Sequence, residues 1–412
     1  SVISVSIHLL YHKTAAAVQS RVTSVPVHGT INGTSNGSFK KRGNGWMEKR
    51  KGLQVLLKPA SSACNLRCRY CFYTDEAQKR GTADFGKMPE PVWRAVVEKA
   101  LAAADDCTFA FQGGEPTLAG LPFYRAFTAY VQAKKASSQR VFYTLQTNGT
   151  LLNGEWLSFF KAHDFYVGVS LDGPRGLHDR MRPDREGRGS FSAAFSAMRQ
   201  MQAERIPFAV LCVLTEENAR RIGSVYRFFC EKGFLAQQYL PCMPPLGEAG
   251  GLSEKTYGEC LCELFDLWFA DFQRGLAPHI RQFDDYLSIL RGGEPEACAM
   301  YGCCLMQNVI EADGSVYPCD FYALDDFYMG NILETDFTAL LQPALNGAGP
   351  FFAQAQRRGA ACPQCPYYAL CRGGCRRDCA GEGEAARNRY CNAYQTFFQY
   401  ALPRLAFAAQ RL

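Results

Sequence analysis

From Leu53 onward, short apolar runs alternate with longer stretches whose apolar residues recur every three or four positions. LQVLLKP (53–59), CTFAFQ (107–112), VFYTLQT (141–147), FYVGVSL (165–171), FAVLCVL (208–214) and AQQYLP (236–241) are mostly apolar and of strand length. Such runs predict strands buried on both faces, as in a parallel sheet. PVWRAVVEKALAAADD (91–106), PFYRAFTAYVQAKK (122–135), GEWLSFFKAH (154–163), SFSAAFSAMRQMQAE (190–204) and ENARRIGSVYRFFCEK (217–232) carry helical spacing. Six strands, each but the last followed by a helix, predict a parallel sheet with right-handed crossovers. Six units do not close an eight-unit barrel, so the expected fold class is α/β, a partial (β/α)6 barrel.

After about residue 245 the alternation stops. TYGECLCELFDLWFADFQRG (256–275) predicts one long amphipathic helix, and NVIEADGSVYPCD (308–320) a hairpin turned by Asp313-Gly314. A cysteine- and glycine-rich tail follows, then a final helix over 392–410. The expected domains are a partial barrel over 47–245 and a cysteine-rich α+β unit over 246–412. Residues 1–46 hold no Asp or Glu, are rich in Ser, Thr, Gly and Val, and show no sustained period. They are expected to be a disordered leader upstream of Met47.

Composition narrows the setting. A chain of 412 residues can bury a core without staples, yet it carries 19 cysteines. An odd number argues against a closed set of disulfides. A net charge of +6, from 45 basic and 39 acidic residues, is too mild for a dedicated nucleic-acid binder. No run of about 18 uncharged apolar residues appears, so no transmembrane helix is expected. The opening SVISVSIHLLY lacks a basic segment before its apolar run and makes a poor signal peptide. A cytoplasmic, reducing setting is expected, where clustered cysteines mean metal or redox chemistry.

Cys64, Cys68 and Cys71 follow the first strand with C-x3-C-x2-C spacing. Three thiolates on one tight loop can hold three corners of a cubic iron–sulfur cluster and leave the fourth iron open. The plainer alternative is a zinc site short of a ligand. The next strands also end in polar or glycine residues: Gln112, Gly113 and Gly114; Gln146, Thr147 and Asn148; Ser170 and Asp172. In βα architectures such strand ends build the site. Farther on, Cys298, Cys304 and Cys319 precede Cys362, Cys365, Cys371 and Cys375 in C-x2-C-x5-C-x3-C, and Cys391 follows. Eight cysteines make two four-thiolate sites, for iron–sulfur or for zinc. Cys303 precedes Cys304 and could compete for the same corner, and Cys379 is an extra cysteine in the tail that could be a free thiol. Cys107, Cys212, Cys230, Cys242, Cys260 and Cys262 are left over; most fall in apolar patterns, as buried inert thiols do.

The cysteine loop, with an aromatic before its last cysteine, resembles the radical S-adenosylmethionine enzymes. The C-terminal cysteines resemble their SPASM extension. KPASSACNLRCRYCFY, CTFAFQGGEPTLAG, LQTNGTLL, VSLDGP and NVIEADGSVYPCDFY are most similar to the anaerobic sulfatase-maturating enzymes. The resemblance spans residue 53 to the C-terminus and implies three [4Fe–4S] clusters plus S-adenosyl-L-methionine. Cys64, Cys68 and Cys71 would hold the first cluster. Cys298, Cys304, Cys319 and Cys375 would hold the second, and Cys362, Cys365, Cys371 and Cys391 the third. The backbone at Gly113 and Gly114 would bind the cofactor's ammonium group. Ser170 would meet its carboxylate, joined by an arginine among Arg182, Arg185 and Arg188. Tyr73 and Gln112 would stand beside the cofactor and near the substrate.

The implied reaction oxidises a cysteine or serine in a C/S-x-P-x-R motif of a nascent sulfatase to Cα-formylglycine. A 5′-deoxyadenosyl radical takes a hydrogen atom from the β-carbon, a proton leaves the heteroatom, and the auxiliary clusters accept the second electron. Asp320 matches the family's base in YPCDFY. A carboxylate with the ordinary pKa of about 3.9 is a weak base at neutral pH, so a buried, desolvated one is expected. His178 reads as a loop histidine without a catalytic part. The implied partners are an unfolded sulfatase polypeptide and a flavodoxin- or ferredoxin-like donor, with no nucleic acid and no membrane. Two other functions fit the cysteines: a SPASM maturase that crosslinks a ribosomal peptide, and a non-catalytic iron–sulfur or zinc protein.

Overall fold

A computed structural model describes residues 50–355, 359, 361–380 and 386–412. The leader expected over 1–46 lies outside the described residues. The six strands form: β1 Arg50–Leu57, β2 Ala104–Phe111, β3 Arg140–Thr147, β4 Tyr166–Ser170, β5 Phe208–Leu214 and β6 Ala236–Pro241. They pair in parallel and in sequence order. Leu57 pairs with Phe111, Phe111 with Leu145, Thr147 with Val169 and Ser170 with Leu211, so the strands end at one level. The next residues along the chain therefore emerge at one end of the sheet.

The helices between them bury a continuous aromatic layer. Phe109, Phe111, Tyr124, Phe127 and Phe165 are fully buried, and Tyr143 stacks on Phe165 with ring centroids 5.0 Å apart. Each such ring removes a large apolar area from water, which is why the strand runs carry so few polar residues. Three details depart from expectation. The helix expected over 91–106 ends at Ala103, and β2 starts at Ala104 with no loop between them. The helix expected over 217–232 is broken into Glu216–Ala219 and Ile222–Glu231. Helices at Phe72–Gln78, Arg175–Met181 and Arg281–Leu290 are additional; the first two are short and polar, whereas the third carries Phe283, Tyr286, Leu287 and Leu290 at helical spacing, a period passed over in sequence.

The sheet continues at both edges. β7, His279–Ile280, pairs with β6. The expected hairpin forms as β8, Val309–Ile310, and β9, Val316–Tyr317, and β8 pairs in parallel with β1. Gly314 takes φ +89° in its turn, where a β-carbon would lie 2.7 Å from Asn331 Oδ1. The C-terminal unit is thus stitched to the first strand, with Lys58 N donating to Ile310 O at 2.9 Å. Helices Glu254–Gln273 and Cys391–Ala409 pack together beside it.

Candidate active site

A cavity of about 290 Å³ opens at the C-terminal ends of the strands. Its wall includes Cys64, Cys68, Cys71, Tyr73, Gln112, Gly113, Gly114, Gln146, Ser170 and Arg182. Tyr257, Gln282, Phe321, Cys375 and Asp378 line it from the C-terminal unit. The strand-end residues singled out in sequence are brought to one space, except Asp172, which is buried outside the lining.

The cysteine loop is a series of tight turns. Ser61 N donates to Lys58 O at 3.1 Å, Cys71 N to Cys68 O at 3.2 Å, and Leu66 N to Cys64 Sγ at 3.4 Å. Burial, with Glu115 nearby, pushes the Cys64 thiol up to about 12. Burial pushes Cys68 up to about 11, although Arg182 pulls the other way. Cys64 has Cys68 and Cys71 as electrostatic neighbours, and Cys68 has Cys71. Three thiols gathered on one wall, with Cys64 and Cys68 costly to ionise, suit a bound cation, which would replace their protons. The donor set fits an iron–sulfur cluster held by three thiolates.

The glycine turn serves this loop. At Gly114 a β-carbon would lie 2.1 Å from Ala63 O, and at Gly113, with φ +117°, 2.8 Å from Ser61 O. Gly114 N donates to Ser61 O at 2.9 Å and Glu115 N to Ala63 O at 2.8 Å. The glycines line the cavity, but the space left by their missing side chains is filled by residues 61–63. Glu115 was not singled out in sequence. It is buried, and its carboxylate accepts from Thr117 N at 3.1 Å, Thr147 Oγ1 at 2.8 Å and Asn148 N at 2.8 Å. It locks the end of β2 to the end of β3.

At the end of β4, Gln146 Nε2 donates to Ser170 Oγ at 3.2 Å. Of the three arginines in range, Arg182 lines the cavity and is buried. Its guanidinium forks onto Asp172 at 2.9 and 3.2 Å, and Tyr70 also donates to Asp172. Burial opposes the charge on Asp172, but Arg182 outweighs it and holds the carboxyl below the usual range. Arg185 is exposed and donates to Cys64 O at 2.9 Å; Arg188 is exposed on Asp184. His178 is buried between Asp172 N and Ser190 Oγ, where burial holds it down at about 4. It is a neutral packing histidine.

Asp320 is fully buried, as expected for the candidate base. It stands behind the cavity wall, with Tyr73 and Gln112 in front of it. Tyr73 Oη donates to Asp320 Oδ2 at 2.6 Å, and Gln112 Nε2 reaches both Asp320 Oδ2 at 2.9 Å and Tyr73 Oη at 2.7 Å. Asp320 N donates to Gln307 Oε1 at 2.8 Å.

The C-terminal cysteines fall into two groups. Burial raises the Cys319 thiol well above its ordinary value, with Cys375, Cys298 and Cys304 as neighbours. Burial pushes Cys371 up to about 11, with Cys391, Cys362 and Cys365 nearby. These are the two expected sets. Cys304 packs with Cys375 against Cys319, Tyr322 and Phe351, whereas Cys303 is exposed. Cys379 donates to Cys375 O at 3.4 Å, beside the first of these sets. Cys107, Cys212 and Cys260 are buried thiols, and Cys230, Cys242 and Cys262 pack on the core.

A model of the radical SAM superfamily matches residues 59–229, and a model of the SPASM iron–sulfur cluster-binding domain matches residues 300–366. With the parallel sheet and the cysteine-lined cavity, these define a radical S-adenosylmethionine enzyme that carries a SPASM domain. A cysteine-type anaerobic sulfatase-maturating enzyme of Clostridium novyi is 40% identical over 370 residues, 88% of this chain and 98% of the relative. A serine-type enzyme of Klebsiella aerogenes is 31% identical, covering 84% of each chain. The solved structure of native anSMEcpe with bound AdoMet and Kp18Cys peptide superposes with TM-score 0.82 at 38% identity, covering 88% of this chain and 100% of that one. The chain belongs to the anaerobic sulfatase-maturating enzymes. Its cofactors are S-adenosylmethionine and iron–sulfur clusters. Among the described residues no helix is long and apolar enough to cross a membrane.

Proposed function

We propose that this enzyme oxidises a cysteine side chain of a sulfatase polypeptide to Cα-formylglycine, with Tyr73 and Asp320 receiving the substrate's proton. The observation that carries the proton path is the hydrogen-bonded set of Tyr73, Gln112 and Asp320 behind the wall of the cavity that Cys64, Cys68 and Cys71 also line. The higher identity to the cysteine-type relative supports cysteine over serine.

Cys64, Cys68 and Cys71 would hold the first cluster. Ser170, Arg182 and the backbone of Gly113 and Gly114 would hold S-adenosylmethionine. When bound, the two supply the hydrogen-abstracting chemistry. The oxidation removes two electrons and two protons from the substrate: a hydrogen atom from the β-carbon, a proton from sulfur and one further electron. The resulting thioaldehyde takes up water and releases sulfide. The chain's own part is the sulfur proton. Tyr73 Oη lies at the cavity wall and already donates to Asp320, so it can accept from substrate sulfur as it passes its own proton inward. Gln112 keeps the two oxygens together.

Cys298, Cys304, Cys319 and Cys375 would hold one auxiliary cluster, and Cys362, Cys365, Cys371 and Cys391 the other. The first set adjoins Asp320, because Cys319 is the preceding residue. This neighbourhood supports an electron acceptor close to where the proton goes. A flavodoxin- or ferredoxin-like donor is part of the proposal, since the reaction starts by reduction. The test is anaerobic reconstitution followed by mass spectrometry of a C-x-P-x-R peptide incubated with reductant and S-adenosylmethionine. Conversion of the thiol to an aldehyde is expected. An unchanged peptide, in an enzyme holding about twelve iron atoms per chain, would overturn the proposal.

A further inference from the structure

Four charged side chains with no part in the proposed reaction lie buried behind Tyr73 and Asp320. Lys58, Glu76, Arg80 and Glu311 are 2%, 4%, 7% and 0% exposed. Topology gathers them. Lys58 follows β1 and Glu311 follows β8, the strand paired with it; Glu76 and Arg80 come from the helix at Phe72–Gln78 and the turn beyond it. Arg80 pairs with Glu311. Lys58 Nζ is 3.5 Å from Glu76 Oε2 and 3.4 Å from Glu311 Oε1. Two cations face two carboxyl groups here, and a buried set of this kind persists only if every member is paired.

The ammonium of Lys58 reaches beyond that set. It is 3.7 Å from Asp320 Oδ1, and it lies 5.0 Å from the centre of the Tyr73 ring. One cation therefore touches both groups of the proton path. The Asp320 carboxylate is held from two sides, with Oδ1 toward Lys58 and Oδ2 toward Tyr73 and Gln112. That arrangement fixes its rotation. Without the ammonium, Oδ1 would face a region that holds Glu76 and Glu311, and like charges in a dry site push apart.

We propose that Lys58 is a positioning residue for the oxidation: it holds the Asp320 carboxylate and the Tyr73 ring in the alignment that lets Tyr73 pass its proton inward. The proposal rests on the proton path described above. Lys58 touches neither the cysteine thiols nor, in this account, the substrate. Its loss should therefore separate product formation from cofactor cleavage.

The test compares the wild type with Lys58→Met, Asp320→Asn and the charge-balanced double variant Lys58→Met/Glu76→Gln. The double variant removes one cation and one anion together, so it stays informative if the single variant does not fold. Each reconstituted protein is assayed for iron, for 5′-deoxyadenosine and for formylglycine peptide. We expect full iron content, cofactor cleavage within about twofold of wild type, and product per cofactor cleaved lower by about 100-fold, as for misplacement of a reacting group. Peptide KM should hold within about twofold, since only alignment is lost. Product per cofactor within about twofold of wild type in both Lys58 variants would overturn the proposal. So would a loss of cofactor cleavage in step with product, which marks a purely structural lysine. If Asp320→Asn itself forms product at the wild-type rate, the proton path is wrong and the Lys58 proposal falls with it.

Discussion

The hydroxyl of Tyr73 donates to Oδ2 of Asp320 at 2.6 Å, joining residues 247 positions apart in the chain. Tyr73 belongs to the helix that starts at the last cysteine of the first loop, and Asp320 follows a cysteine of the C-terminal unit. The bond links the wall of the cavity to the proton acceptor behind it. It also makes the register between the two units part of the chemistry.

If Tyr73 passes the substrate's proton to Asp320, Tyr73→Phe removes the relay and leaves the ring in place. Formylglycine formation should fall by about 100-fold, in the range of general acid–base contributions, with peptide KM little changed. Steady-state kinetics on the peptide checks this. Unchanged kcat would show that the proton leaves by another route.

Gly114→Ala should damage the first cluster site alone. The added carbon would sit 2.1 Å from Ala63 O and 2.6 Å from Ser62 O, both backbone atoms of the cysteine loop. The loop must shift, at about 1–3 kcal/mol, the usual cost of overpacking. Iron per chain should drop from about twelve to about eight, because the C-terminal sets are untouched. Full iron content with normal cofactor cleavage would contradict this reading of the glycine.

Glu76 makes stability depend on pH. Burial, opposed by Lys58 and reinforced by Asp320, holds its carboxyl up at about 7 against an ordinary 4.5. Between those values the folded chain binds more protons than the unfolded one, so this group's contribution to stability is lost as pH rises through about 7. Glu76→Gln mimics the protonated form at every pH. Thermal midpoints from about pH 5 to about pH 8 should therefore rise for the variant relative to the wild type. A constant difference over that range would show that Glu76 does not titrate there.

The sheet was legible because strands covered on both faces are written as near-continuous apolar runs: 208–214 matches β5 residue for residue. The run 236–241 also matches β6, although that strand is only half-buried. The junction at Ala103 and Ala104 was not, since no loop residue separates helix from strand. That the cysteines cluster was legible from spacing; their division into sets, like Tyr73, Gln112 and Asp320, came from resemblance. Lys58, Glu76, Arg80, Glu115 and Glu311 were missed. Each reads locally as an ordinary surface charge, and only the pairing of β8 with β1 and the turns after β1 and β2 bury them. The sequence also left Cys303 and Cys304 undecided, which burial separates.

The most direct measurement is the split between cofactor cleavage and peptide oxidation in Asp320→Asn. The reconstituted variant is incubated anaerobically with reductant, S-adenosylmethionine and a cysteine-containing peptide, and 5′-deoxyadenosine and formylglycine are quantified together. The expected result is cofactor cleavage near the wild-type level with formylglycine reduced by about 100-fold or more. Formylglycine at the wild-type yield per cofactor cleaved would contradict the account.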